Sequence, residues 1–129
     1  MTVDPGAGHS VYGRPTLGEL VAAVREPLEA AVSGPALSGF AARVAANVLA
    51  IVERELARGP ADQGAYAAVL ARLGAADEAA LAAEIRSGRR DQQLEEIAGE
   101  FRGIVAARLA VAHPGYAAAL ADGTPCPGP

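Results

Sequence analysis

The sequence predicts an all-α fold, a single-domain bundle of about five helices with flexible N- and C-terminal segments. Three observations carry that expectation. Large apolar residues recur at steps of three and four in several separate windows. No window alternates apolar and polar residues for long enough to make a strand. Gly, Pro and N-capping residues punctuate the chain at helix-sized intervals. At 129 residues the chain suits one domain of ordinary size.

The opening helix is expected from Thr16. Thr16 and Glu19 stand as T-x-x-E, a capping box in which the hydroxyl accepts a first-turn amide and the carboxylate reaches back to the cap. Leu17, Leu20, Val21, Val24, Leu28 and Val32 continue one apolar stripe. Pro27 interrupts it, so a kink or a break is expected there, and Ser33-Gly34-Pro35 ends the element.

The second helix, residues 37–58, contains the most informative run, FAARVAANVLAIVERELARG. Phe40, Val44, Val48, Ile51, Val52 and Leu56 form a wide apolar arc, and Arg43, Asn47 and Arg54 line a polar seam beside it. The width of the arc makes this the helix expected to be most buried. Gly59-Pro60 is expected to stop it. A third helix then covers 61–73, with Gly74 after it. A fourth begins after Asp77, a good N-cap, and stops near Gly88. A fifth starts at Asp91, carries Leu94, Ile97, Phe101, Ile104, Val105, Arg108 and Leu109, and ends at His113-Pro114. A last turn is expected over 116–120. Residues 1–15 read as a flexible arm, 16–120 as the helical domain and 121–129 as a loose tail.

Composition narrows the function classes. The formal net charge is −4, which argues against a nucleic-acid-binding role. All 11 basic residues are Arg, and Ala is abundant, as in proteins of GC-rich bacteria. With two Phe, three Tyr and no Trp, the core must come from Leu, Val and Ile. Ala-faced helices can approach one another closely. The single Cys126 makes no internal disulfide and no metal cluster. The N-terminal residues lack a secretory pattern, and the apolar stretch at 44–52 is too short to cross a bilayer. A cytoplasmic protein with no metal, no cofactor and no membrane role is expected.

Four residues are candidates for binding a ligand. Arg43, Asn47 and Arg54, with Arg86 further on, could surround a phosphate or carboxylate. The alternative is internal pairing with carboxylates such as Glu19, Glu29 or Glu100, the commoner use of such groups. Arg89 and Arg90, beside Gly88, are candidate contacts for an acidic partner, or cations complementing a helix C-terminus. His113 has no second catalytic member in the sequence and reads as a helix-end residue. Adjacent carboxylates such as Glu95-Glu96 point apart on a helix and form no acid–base dyad. No Walker motif is feasible without Lys, and the G-x-G-x-x-G pattern and the G-x-S-x-G elbow are both missing.

RVAANVLAIVEREL, the helix ending AEIRSG, and ARLAVAHPGY resemble a bacterial all-helical family known only as a domain of unknown function, number 6285 in that series. TLGELVAAVREPLEAAV is similar to its opening helix, so the resemblance spans 16–116. It rests on helix-packing residues together with Arg43, Asn47, Arg54, Glu55, Arg86, Pro114 and Tyr116. Pro27 departs from it, where a large apolar residue is expected. Members of the family are often encoded beside aminoglycoside-phosphotransferase-like and acyl-CoA-dehydrogenase proteins. The resemblance thus implies an accessory role near acyl-CoA or phosphotransfer metabolism and assigns no catalytic residue. The expected function is a non-catalytic helical interaction module, acting as a homodimer or with a protein partner. The competing expectation is a small-ligand or enzymatic protein that holds an anionic molecule with the Arg/Asn set.

Overall fold

A computed structural model describes residues 10–116. Every regular element among these residues is a helix, with no strand among them. The order is α1 (Leu17–Ser33), α2 (Gly39–Arg72), α3 (Glu78–Arg86), a 3-10 turn (Asp91–Gln93) and α4 (Leu94–Ala112). The chain divides into two compact units, one of Tyr12–Gly59 and one of Met1–Val11 with Pro60–Pro129.

In the first unit, α1 begins as its sequence dictates. The Glu19 amide donates to Thr16 Oγ1 at 3.2 Å, and the Thr16 amide donates to Glu19 Oε1 at 3.1 Å, closing the capping box. Arg14 adds a two-pronged ion pair to the same carboxylate, with Nη2 at 2.7 Å from Oε2. The Arg14 hydrogen bond, helped by the Thr16 amide, holds the Glu19 carboxyl down at about 2. Stability from this lowered value is complete above the ordinary carboxylate range and is lost as pH falls through about 2. Thr16→Ala should therefore cost about 1 kcal/mol in urea denaturation, and the Glu19 carboxyl carbon should titrate by NMR near 2.

α1 runs unbroken through Pro27, so the expected break does not occur. Its end at Ser33 matches the sequence. Ser38, unmarked as a cap by the sequence, starts α2: its hydroxyl accepts the Ala41 amide at 3.1 Å. Leu17 and Val21 at the start of α1 line one groove with Val52 and Leu56 of α2. The short link between the helices then makes α1 and this half of α2 an antiparallel hairpin. Leu20, Val24 and Val52 are its buried residues of large apolar type.

The chief correction lies at Gly59-Pro60. The two helices expected on either side form one 34-residue helix that contains Pro60. Proline disfavours a helical predecessor because its ring strikes that residue's Cβ. Gly59 has no Cβ, which removes that one conflict. The lost hydrogen bond leaves the carbonyl of Leu56, a residue 63% exposed, open to water. The expectation that residues 37–58 are the most buried helix also fails, since Phe40, Val44, Leu49 and Leu56 are all exposed.

The second unit holds most of the buried apolar side chains: Tyr66, Val69, Leu70 and Leu73 from the end of α2, Leu81 of α3, and Ile97, Ile104 and Val111 of α4. Its helix ends follow local chemistry. Gly74 at φ +65° closes α2 with the Ala75 amide on the Leu70 carbonyl and its own amide on Ala71. Gly88 at φ +83° repeats this on α3, with the Arg89 amide on Glu84 and the Gly88 amide on Ile85. Asp77 caps α3, accepting the Ala80 amide at 2.7 Å. The fifth element opens at Asp91 as expected, first as the 3-10 turn and then as α4, which ends at His113. Of the turn expected over 116–120 only Tyr116 is described; 117–120 and the tail at 121–129 lie outside the described residues.

Residues 10 and 11 do not behave as part of a flexible arm. Val11 is 1% exposed and bonded through both its amide and its carbonyl. The physical reason is a pair of distant side chains, Gln63 and Arg108, that take up its backbone groups.

Candidate functional site

The four candidate ligand-binding residues are divided between the two units. Arg43, Asn47 and Arg54 stand on α2 within Tyr12–Gly59, whereas Arg86 lies in the last turn of α3 in the other unit. Arg43, Asn47 and Arg86 are exposed, while Arg54 is half-buried and engaged with a neighbour. The carboxylates named as their partners are taken by other guanidinium groups: Glu19 by Arg14, Glu29 by Arg25 at 2.9 Å, and Glu100 by Arg72 at 2.7 Å.

Arg89 and Arg90 behave differently from each other. Arg89 is exposed beside Asp91 and Gln92 at the rim of a shallow polar depression. Arg90 is turned inward, with its side chain 12% exposed. Its Nε donates to Glu84 Oε2 at 2.6 Å, and Nη1 donates to the Leu73 carbonyl at 2.6 Å and to Gln93 Oε1 at 3.0 Å. It thus caps the C-terminal carbonyls of α2 while tying down α3 and the 3-10 turn. Three of its five donors are thus used inside the unit.

The densest polar constellation was not singled out from sequence. Glu78 Oε2 accepts from the Tyr66 hydroxyl and from Arg108 Nη2, the latter at 2.8 Å. The Arg108 guanidinium lies 5.9 Å from the centroid of the Tyr66 ring. Its Nε donates to the Val11 carbonyl, and the Val11 amide donates to Gln63 Oε1 at 2.8 Å. Burial, then the Glu78 hydrogen bond, pushes the Tyr66 phenol up to about 12. A phenol held there keeps its proton at neutral pH, and a guanidinium is no base. The cluster holds the backbone of Val11 through Arg108. One signal was available in the sequence: Arg108 interrupts the apolar stripe of Ile104 and Val111, and a cation on a buried face demands partners.

His113 ends α4, as its place before Pro114 suggests. Its backbone amide donates to the Leu109 carbonyl at 2.7 Å, and its ring Nδ1 accepts the Tyr116 amide at 3.0 Å. The two rings meet edge to face at 5.8 Å. Among the described residues no three His, Cys, Asp or Glu side chains gather as a metal site, and no helix is long and apolar enough to cross a membrane.

Among the described residues Glu55 is the one buried charged residue, 6% exposed in the buried stripe of α2 with Val52. Desolvation pushes its carboxyl above the ordinary value. A raised carboxyl makes the folded state hold its proton more tightly, so stability is fullest below the unfolded value of 4.5 and is lost as pH rises through the folded one. Glu55→Gln should therefore raise stability by about 1 kcal/mol at pH 7. The gain should vanish below the ordinary carboxylate range, as read by urea midpoints across pH.

The feature most suggestive of recognition is apolar. Val21, Leu28, Val32, Phe40, Val44, Leu49 and Leu56 are exposed, and all belong to the hairpin unit. On α1 the apolar arc is wider than its cover. Leu20 and Val24 are buried, while Val21, Leu28 and Val32, rotated about 100° onto the flank, stay in water. On α2, Leu49 and Leu56 stand on the corresponding flank of Val52. The 390 Å³ groove bordered by Leu17, Val21, Val52 and Leu56 opens along this edge.

No curated protein and no solved structure matches the chain. One family model does, over residues 32–116, from the last residues of α1 to Tyr116. The matched stretch leaves out most of the TLGELVAAVREPLEAAV helix, so the shared region is shorter at its start than the resemblance over 16–116 implied. Covering about two-thirds of the sequence, the match shows that the chain belongs to the family described as Domain of unknown function (DUF6285).

Proposed function

We propose that this protein is a non-catalytic helical interaction module that self-associates through the apolar edge of the α1–α2 hairpin. The observation that carries the reading is the distribution of exposed apolar side chains. Among the described residues, seven of the nine large ones that are exposed lie in the hairpin unit. Scattered single residues of this kind are ordinary, but Val21, Leu28, Val32, Leu49 and Leu56 follow one flank of the hairpin, and such a row marks a contact surface. Val32 at 88% and Phe40 at 77% exposed sit at the two ends of the hairpin loop, so one partner helix could cover both flanks. Pairing two such hairpins by a two-fold axis would bury the edge of each against the same edge of the other. The resemblance adds the expectation that such a dimer assists a phosphotransferase-like or acyl-CoA-dehydrogenase-like enzyme partner.

Sedimentation velocity tests the self-association. At tens of micromolar the protein should sediment as a dimer, consistent with a dissociation constant of about micromolar or better. The double variant Val32→Asp, Leu56→Asp should be monomeric with unchanged helical content. A wild-type chain that stays monomeric at that concentration refutes the reading. A thermal-shift screen with nucleotides and acyl-CoAs is the complementary measurement. A ligand present at about a hundred times its dissociation constant adds about 2.7 kcal/mol, and such a shift would favour the anionic-ligand alternative built on Arg43, Asn47, Arg54 and Arg86.

A further inference from the structure

We propose that the socket around Val11 is a peptide-binding site, filled here by the chain's own Ser10 and Val11, which takes the same stretch from a second copy of the chain. This proposal is independent of the apolar hairpin edge and stands or falls separately.

Three features make the socket a recognition site and not an incidental contact. Both polar backbone groups of Val11 are read by side chains from different helices, the amide by Gln63 of α2 and the carbonyl by Arg108 of α4. The Val11 side chain is 1% exposed, so a small β-branched group is fully enclosed. Arg108 is also held by groups outside the segment, by Glu78 at 2.8 Å and by the face of Tyr66 at 5.9 Å. Such preorganisation reduces the ordering cost of binding. A clamp that reads one residue's amide and carbonyl and encloses its side chain recognises an extended peptide.

The segment is also suited to leave and be replaced. Beyond Val11 the link to α1 contains Gly13 at φ +68°, where an added Cβ would meet nothing within 4 Å. A glycine there can swing the segment without steric cost. Exchange of an identical segment between copies is a low-cost route to a dimer, since every contact is already present in the monomer. In the intact chain the tethered segment competes at an effective concentration of about millimolar. A peptide supplied in trans must therefore outcompete it, and weakening the tethered copy should reveal the site.

The test uses the full chain and a fluorescein-labelled peptide of residues 10–16, SVYGRPT. Val11→Lys in the protein sets a second cation against Arg108 and should eject the tethered segment. By fluorescence anisotropy this variant should bind the peptide saturably, at least about tenfold more tightly than the wild-type chain. Binding should be lost when the peptide itself carries Val11→Lys, and should weaken when Gln63→Ala is added to the protein. Lack of saturable binding by a Val11→Lys chain of wild-type helical content overturns the proposal, as does equal binding of the two peptides. If that variant does not fold, the wild-type chain decides the matter. Millimolar peptide should speed hydrogen exchange of the chain's own Val11 amide, and unchanged protection there overturns the proposal.

Discussion

Leu81→Ala should remove about 3–4 kcal/mol of stability, the largest single effect expected of any substitution in this chain. Leu81 is 2% exposed on α3, a helix of nine residues. A helix that short has little stability of its own and depends on tertiary packing. Truncating Leu81 removes the transfer free energy of three carbon atoms and leaves a cavity in the unit, which counts both terms against the fold. Val32→Ala is the matching control. Val32 is 88% exposed, so its loss should change stability by no more than about 0.5 kcal/mol. Urea midpoints of the two variants, at a concentration low enough to keep the protein monomeric, measure both. Equal effects at the two positions would mean that α3 does not pack as described.

Arg90→Ala should cost about 2–3 kcal/mol, whereas Arg89→Ala should cost no more than about 0.5. The two arginines are adjacent in sequence and identical in chemistry, so the contrast isolates the contribution of position. Removing the Arg90 guanidinium leaves the Leu73 carbonyl at the end of α2 without that donor and releases Glu84. Leu73 is itself buried, which limits how well water can replace the lost bond. Arg90→Lys should recover only part of the loss. An ammonium cannot reach the carbonyl, the carboxylate and the Gln93 amide oxygen in the fixed fork that guanidinium provides. Thermal midpoints of the three variants give the answer, and an Arg89→Ala loss as large as that of Arg90→Ala would remove Arg90 from its role as a cap.

Much of the fold was legible because helix ends are local events. The Thr16–Glu19 box, the Asp77 cap, the glycines at 74 and 88 and the stop at His113 each depend on residues within about five positions. Gly59-Pro60 misled for an equally local reason. The pair carries the strongest stop signal in the chain, yet glycine before proline lifts one of the steric conflicts, that with a Cβ, and α2 continues through Pro60. The candidate site was far less legible. Arg43, Asn47, Arg54 and Arg86 were linked by residue type, but the two compact units divide them. Arg108 was read as part of an apolar stripe, although its polar end meets the Tyr66 hydroxyl at Glu78.

The amino-acid sequence by itself determined that the protein is all-α, where most of its helices begin and end, and which faces of them are apolar. Capping, periodicity and propensity act over one or two turns and need no distant partner. Only the tertiary structure decided which apolar faces are covered and where each guanidinium is spent. Arg90 finds the Leu73 carbonyl 17 residues away, and Arg108 finds the Val11 carbonyl 97 residues away. Such pairings depend on how the helices come together in space, and any of the 11 arginines could have made them as far as local chemistry is concerned.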